Sequence, residues 1–217
     1  MNACIRAVIR ACAHYNLEVF GIHRGYQGLI ENEIFPMTPS SVANIIQMGG
    51  TILKTARSKE FMTPEGRKKA HDNLMALGIE GIVCIGGNGT YTGAMIFEKE
   101  FGLPSIGCPG TIDNDLWGTD ATIGYDTAIN TAMEAIDKIR DTADAHNRVF
   151  FIEVMGRHSG YIALGSTYGR PDIVLVPEVP LDIDQERYDA LAAAAGAAPR
   201  RGYGVSVRIL HLSWEYP

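Results

Sequence analysis

The four cysteines, Cys4, Cys12, Cys84 and Cys108, include no C-x-x-C pair and stand apart in apolar surroundings. That spacing argues against a zinc site or a disulfide framework and fits buried, reduced thiols in a cytoplasmic protein. No apolar run approaches the roughly 20 residues a membrane span needs, and no leader is legible ahead of the first amphipathic segment. A membrane partner is therefore not expected. Basic excess is missing as well, since 19 Lys and Arg face 25 Asp and Glu for a net charge of −6. Nucleic acid selects basic surfaces and is not expected as a partner. A small anionic substrate needs only a few local arginines. What is present is an ordinary globular composition, 46% hydrophobic and 20% charged over 217 residues. That length suits one large domain or a domain with an appendage.

Residues 1–15 read as a helix with Ile5, Val8, Ile9 and Cys12 on one face and Arg6 and Arg10 on another. A short strand, Leu17 to Ile22, ends in a glycine-punctuated loop. A second helix is expected from Thr38-Pro39-Ser40 to Gly49-Gly50, and a third from Thr63-Pro64-Glu65, where Thr63 caps and Pro64 suits the first turn. Gly81 to Ile85 is the clearest strand, followed by a glycine-rich turn and a helix from Tyr91 to Phe101. Pro104 to Cys108 reads as a strand, Thr122 to Arg140 as a long helix, and Val149 to Val154 and Asp172 to Val176 as further strands. These strands are continuous apolar runs, which predicts helices on both faces. Strand–helix alternation of this kind predicts an α/β fold, a doubly wound, mostly parallel, Rossmann-like sheet. Ligands bind outside the carboxyl ends of such strands. The loops after Ile85, Cys108 and Val154 all occupy that position. From about Gln185 the sequence turns into an alanine tract and then Pro199-Arg200-Arg201-Gly202, so residues 183–217 are expected to be a poorly ordered tail.

Pro109-Gly110-Thr111-Ile112-Asp113-Asn114-Asp115 places two carboxylates, a hydroxyl and an amide in the second of these loops. One acid can take a proton from a substrate hydroxyl while the other holds or orients a metal ion, as phosphoryl transfer requires. By itself the same run also suits an Asx-rich turn. Gly86-Gly87-Asn88-Gly89-Thr90 lets backbone amides approach a phosphate at a helix start, or serves only as a tight strand–helix turn. It matches neither a Walker loop nor a dinucleotide fingerprint. Arg157, in the Met155-Gly156-Arg157 exit loop, suits an anionic substrate group. Arg57 could clamp a phosphate or be solvated surface. Arg148 precedes its strand, at the opposite edge, and would act only on a neighbouring subunit's site. His158 reads as a polar residue at a helix start.

Taken in order, Gly86 to Thr90, then Pro109 to Asp115 with Gly118-Thr119-Asp120, then Glu153-Val154-Met155-Gly156-Arg157 resemble the ATP-dependent 6-phosphofructokinase family. The similarity runs from Met1 to about Asp182. It implies a phosphofructokinase-type fold lacking its first strand and most of its second domain. It also implies phosphorylation of fructose 6-phosphate at its 1-hydroxyl in glycolysis, with ATP and Mg2+, in a cytoplasmic homotetramer. By resemblance Asp113 is the general base, Thr111 and Asp115 complete the catalytic set, and Asp115 and Asn88 hold the metal. Thr111, Ile112, Asp113, Arg148, Met155, Gly156 and Arg157 would bind the sugar phosphate. Arg57, Ser58, Gly87, Asn88, Gly89 and Thr90 would bind the nucleotide, and Arg6 and Arg10 an allosteric nucleotide.

Pyrophosphate-using members typically carry Asp in place of Gly89 and Lys in place of Gly110, so the two glycines imply room for ATP. Asn88 departs from the family's usual metal-binding Asp, and a neutral amide is the weaker magnesium ligand. Three alternatives stand beside this reading: a non-catalytic fragment or regulatory pseudoenzyme, a pyrophosphate-dependent phosphofructokinase, and an NAD-kinase-like enzyme.

Overall fold

The computed structural model of the chain describes residues 1–146, 150–171, 173–179 and 207–209. It divides into two units, Met1–Thr111 and Ile112–Pro217.

In the first unit, helix α1 (Asn2–His14) buries Ile5 and Ile9, four residues apart on one face, against Met37, Val42 and Ile45. Strand β1 (Phe20–Ile22) follows. It pairs antiparallel with β2 (Ile34–Pro36), Ile22 opposite Ile34, and the short helix α2 (Gly25–Ile30) fills the connection. Neither α2 nor β2 is legible in the sequence, because two glycines in six residues mask the helical signal. The helix expected to run from Thr38 to Gly49 is not formed. One 3-10 turn, Pro39–Val42, forms there, and Ala43 is already extended (φ −66°, ψ 137°). Asn44 then takes a left-handed conformation (φ 54°). The Thr38, Ser40 and Ser41 hydroxyls bond one another and the local backbone, which competes with helix propagation.

Helix α3 (Pro64–Ala76) begins as expected, with Thr63 Oγ1 accepting the Gly66 amide at 3.1 Å. Arg67 on its first turn is buried. It donates to the Phe61 and Met62 carbonyls at 3.2 and 2.8 Å and grips Glu100 at 2.6 and 2.7 Å. Strand β3 (Ile82–Gly86) leads through α4 (Asn88–Phe101) into β4 (Ser105–Pro109), and the two strands pair in parallel from Ile82↔Ser105 to Gly86↔Pro109. Phe97, Leu74, Leu29 and Ile30 are the fully buried centre of this core. The expectation that both faces of the strands are covered is met only in part. Ile82 packs on this core, Cys84 is buried with its Sγ 3.9 Å from the Tyr26 hydroxyl, and Ile85 packs toward the α1 cluster, but Val83 and its register partner Ile106 are 45% and 64% exposed.

In the second unit, α5 (Tyr125–His146) is followed by β5 (Phe150–Ile152), α6 (Tyr161–Gly165) and β6 (Ile173–Val174). A last strand, β7 (Val207–Ile209), lies between β5 and β6 and is parallel to both. These three residues fall in the segment expected to lack structure, and the rest of 183–217 lies outside the described residues apart from them. Ile136 and Ala163 are buried with Ile152, Val154, Val174 and Val176 against them. Among the described residues, no helix is long and apolar enough to cross a membrane.

Candidate active site

In the first unit, the parallel pairing of β3 and β4 brings the glycine turn and the Pro109-Gly110-Thr111 exit loop to the same sheet edge. Gly87 is extended (φ −118°, ψ −163°) and α4 starts at Asn88. The first intrahelical bond runs from the Tyr91 amide to the Gly87 carbonyl at 3.1 Å. The Asn88, Gly89 and Thr90 amides therefore stand in the first turn, ahead of the i→i−4 ladder, where helix dipoles favour anions. A β-carbon on Gly87 would lie 3.2 Å from Thr111 Cβ, so the predicted hydroxyl and the predicted phosphate turn are neighbours. A β-carbon on Gly89 would meet nothing within 4 Å.

Gly110 is different. Its amide donates to the Gly86 carbonyl at 2.9 Å, and a β-carbon there would sit 2.6 Å from Ile85 Cγ2. The space implied at Gly110 is already taken by β3, so its glycine answers to strand packing; only Gly89 leaves room.

The remaining predicted residues of this unit have more varied settings. Ser58 Oγ donates to Gln27 Oε1 at 2.7 Å and accepts the Phe61 amide at 3.1 Å, so its hydroxyl holds the loop together. Arg57 is exposed. Arg6 donates to the Val42 carbonyl at 2.6 Å, tying α1 to the 3-10 turn. Arg10 is exposed and, with Ala13, His14 and Pro39, lines an open hollow of about 280 Å3. Tyr26 is a residue the sequence did not flag. Its hydroxyl donates to the Thr90 carbonyl at 2.5 Å, bracing the first turn of α4 from α2.

In the second unit, Asp113 is half-buried and Asp115 exposed. Burial first, and then the Asp115 charge, push the Asp113 carboxyl above the usual carboxylate range, with the Arg157 guanidinium pulling the other way. The three predicted groups are thus electrostatic neighbours. Ile112 is half-buried beside them in sequence. Asn114 between the two acids is left-handed (φ 52°), and its Oδ1 accepts the Thr122 amide at 2.8 Å. Its amide is thereby a brace of the loop, a role the Asx-turn reading partly foresaw. Gly156 (φ 144°) and Arg157 (φ 55°) both have positive φ, which turns the chain sharply after β5. Met155 is 73% exposed and His158 is exposed ahead of α6. Ser159, unflagged in the sequence, donates from Oγ to the Asp113 carbonyl at 2.6 Å. Arg148 lies outside the described residues.

Among the described residues, no group of three or more His, Cys, Asp and Glu is arranged to hold a metal ion. One carboxylate, Asp115, and one amide, Asn88, are the predicted donors. Magnesium is commonly bound through one or two carboxylates with substrate phosphates supplying further oxygens. Either group, as a single oxygen donor of its own unit, suits a metal that arrives with a nucleotide, not a preformed protein cage.

The family described as "Phosphofructokinase" matches residues 1–202, beyond the Asp182 limit read from the motifs. The chain is 61% identical over 183 residues to the ATP-dependent 6-phosphofructokinase of Cytophaga hutchinsonii, covering 84% of this chain and 56% of that protein. It is 56% identical over 211 residues to ATP-dependent 6-phosphofructokinase 1 of Thermus thermophilus, covering 97% of this chain and 64% of the relative. The solved phosphofructokinase of Saccharomyces cerevisiae matches with a TM-score of 0.82 at 34% identity, over 96% of this chain and 31% of that one. The chain thus spans between 56% and 64% of the length of these two curated relatives. A family match over residues 1–202, with relatives at 61% and 56% identity, makes this chain a member of the phosphofructokinase family.

Proposed function

We propose that the chain carries the phosphoryl-transfer site of an ATP-dependent 6-phosphofructokinase, moving the γ-phosphoryl of ATP to the 1-hydroxyl of fructose 6-phosphate. The observation that carries this reading is the setting of Asp113, a carboxylate half-buried beside Asp115 and opposed by Arg157. A raised carboxyl pKa moves a base nearer neutrality, where it accepts a hydroxyl proton more readily. Arg157 and the Met155-Gly156 backbone hold the sugar phosphate, and Thr111 lies beside the glycine turn to orient the transferred group. The first-turn amides of α4 and the open space at Gly89 receive the nucleotide phosphates. Arg57 and Ser58 are assigned to the nucleotide with them, Arg148 to a neighbouring subunit's sugar, and Arg6 and Arg10 to an effector nucleotide.

Asn88 and Asp115 would hold Mg2+, which neutralises charge on the phosphates when bound. Four free thiols support a reducing, cytoplasmic location. A homo-oligomer, tetrameric in the full-length family, is the corresponding assembly.

The test is phosphorylation of fructose 6-phosphate by the purified chain with ATP or pyrophosphate as donor. ATP-dependent formation of fructose 1,6-bisphosphate, abolished by Asp113→Asn, supports the proposal, and pyrophosphate as the better donor overturns the choice of nucleotide. A second reading, a non-catalytic chain, is favoured by Asn88 where the family carries a carboxylate. Cooperative unfolding with no turnover on either donor would establish it.

A further inference from the structure

We propose that Ser159 is a positioning residue, holding the Asp113 main chain against the Gly156–Arg157 turn. This rests on the reading of Asp113 as the proton acceptor.

Ser159 is only 6% exposed, and its amide and its hydroxyl are both engaged. Its amide donates to the Gly156 carbonyl at 2.9 Å, and its hydroxyl donates to the Asp113 carbonyl at 2.6 Å. One residue therefore closes the turn that presents Arg157 and, through its side chain, fastens the loop that presents Asp113. The turn itself is costly. A non-glycine residue with positive φ, as at Arg157, persists only where surrounding bonds over-determine it. The neighbouring amide of Gly160 is fixed as well, donating to Glu178 Oε1 at 2.7 Å. Segment 156–160 is thus held by bonds at both the Ser159 and the Gly160 amides.

On the other side, the peptide after Asp113 is gripped from two directions. Its carbonyl accepts the Ser159 hydroxyl, and Asn114, left-handed at φ 52°, is held by the Thr122 amide through Oδ1 at 2.8 Å. Without the hydroxyl, that peptide keeps the Thr122 contact made through Asn114 and loses the one from Ser159. Rotation about it swings the Asp113 side chain relative to Arg157. A displacement of about 1 Å at such a group costs on the order of 100-fold in rate.

A residue that merely fills a buried site would leave loop order and turnover untouched when replaced by one of equal volume. The variants are Ser159→Ala, Ser159→Cys, which keeps the volume with a weak donor, and Ser159→Thr, which keeps the hydroxyl. Each is made in the full chain and checked for a cooperative melt; Ser159→Cys decides if Ser159→Ala does not fold.

Hydrogen exchange followed by mass spectrometry is read on the peptide spanning 112–124, with 82–101 as internal control. Exchange in Ser159→Ala and Ser159→Cys is expected to rise about tenfold at 112–124 alone, the loss of one hydrogen bond. The kcat falls at least about tenfold while the ATP KM stays within about twofold, and Ser159→Thr restores both. Unchanged exchange, faster exchange with unchanged kcat, or no rescue in a Ser159→Thr variant with the parental melt overturns the proposal. An inactive parent chain overturns the kinase reading and with it the contribution of Ser159 to turnover. The exchange arm still shows whether the hydroxyl anchors the loop, so the two failures are distinguishable.

Discussion

The amide of Gly110 donates to the carbonyl of Gly86 at 2.9 Å, joining the exit loop of β4 to the end of β3. The bond continues the parallel ladder one residue past Gly86↔Pro109 and stops where the two chemically loaded loops begin. It also brings the Gly110 α-carbon so close to Ile85 that a side chain has no space. Gly89, three residues beyond Gly86, faces open space instead. Two glycines in adjacent loops therefore serve different ends, one for packing and one for access.

Alanine distinguishes them. Gly110→Ala places a β-carbon 2.6 Å from Ile85 Cγ2 and 3.2 Å from the Gly86 nitrogen. It should destabilise the chain by about 1–3 kcal/mol. Gly89→Ala lies in the first turn of α4 with nothing within 4 Å, and should be neutral or stabilising by up to about 1 kcal/mol. Urea midpoints of the two variants check both, and a tolerated Gly110→Ala would refute the packing assignment.

Asp113 makes stability pH-dependent in a defined direction. Its native carboxyl pKa is raised, by burial first and Asp115 second, against the pull of Arg157. The native chain therefore holds that proton more tightly than the unfolded chain does. The stabilising contribution is full below the unfolded carboxylate pKa and is lost as pH rises through the raised native value. Asp113→Asn should be more stable than the parent at neutral pH, with the gain vanishing below about pH 4. The same variant should lose at least about 100-fold in kcat. Denaturant midpoints at two pH values, beside a kinetic assay, measure both; a stability gain that does not change with pH would remove Asp113 as its source.

Asn88 is the first residue of α4, so a carboxylate there would meet the helix dipole as well as a metal. Asn88→Asp should raise stability by about 0.3–1 kcal/mol at low salt and increase magnesium-dependent turnover of a full-length version. Magnesium titrations that superimpose on those of the parent would sink the second expectation.

The thiols should differ in reactivity. Burial, and then the neighbouring Cys108, push the Cys4 thiol up to about 11, and burial pushes up that of Cys84. Only the thiolate is nucleophilic. Iodoacetamide at neutral pH should modify Cys4 and Cys84 slowly in the native chain and all four cysteines in denaturant. Mass spectrometry of the tryptic peptides follows each site, and fast native labelling of Cys84 would contradict its burial.

The α/β order of elements, the Thr63 cap and the three loops at strand exits were all legible, because hydrophobic periodicity and capping chemistry are local properties of the chain. The helix expected after Thr38 failed because three hydroxyls and a left-handed Asn44 end it after a single turn, a contest of small local energies that periodicity does not register. Helix α2 was hidden by its glycines, and β2 and β7 acquire their strand character from partners far along the chain. Residue order already specified which groups the loops carry: two acids, an amide, a hydroxyl and an arginine in succession. How they are held depends on contacts between distant parts of the chain. Ser159 reaches Asp113 across 46 residues, and the Tyr26 hydroxyl reaches the Thr90 carbonyl across 64. Such bonds depend on where the chain returns in space, and no local pattern of residues encodes that return.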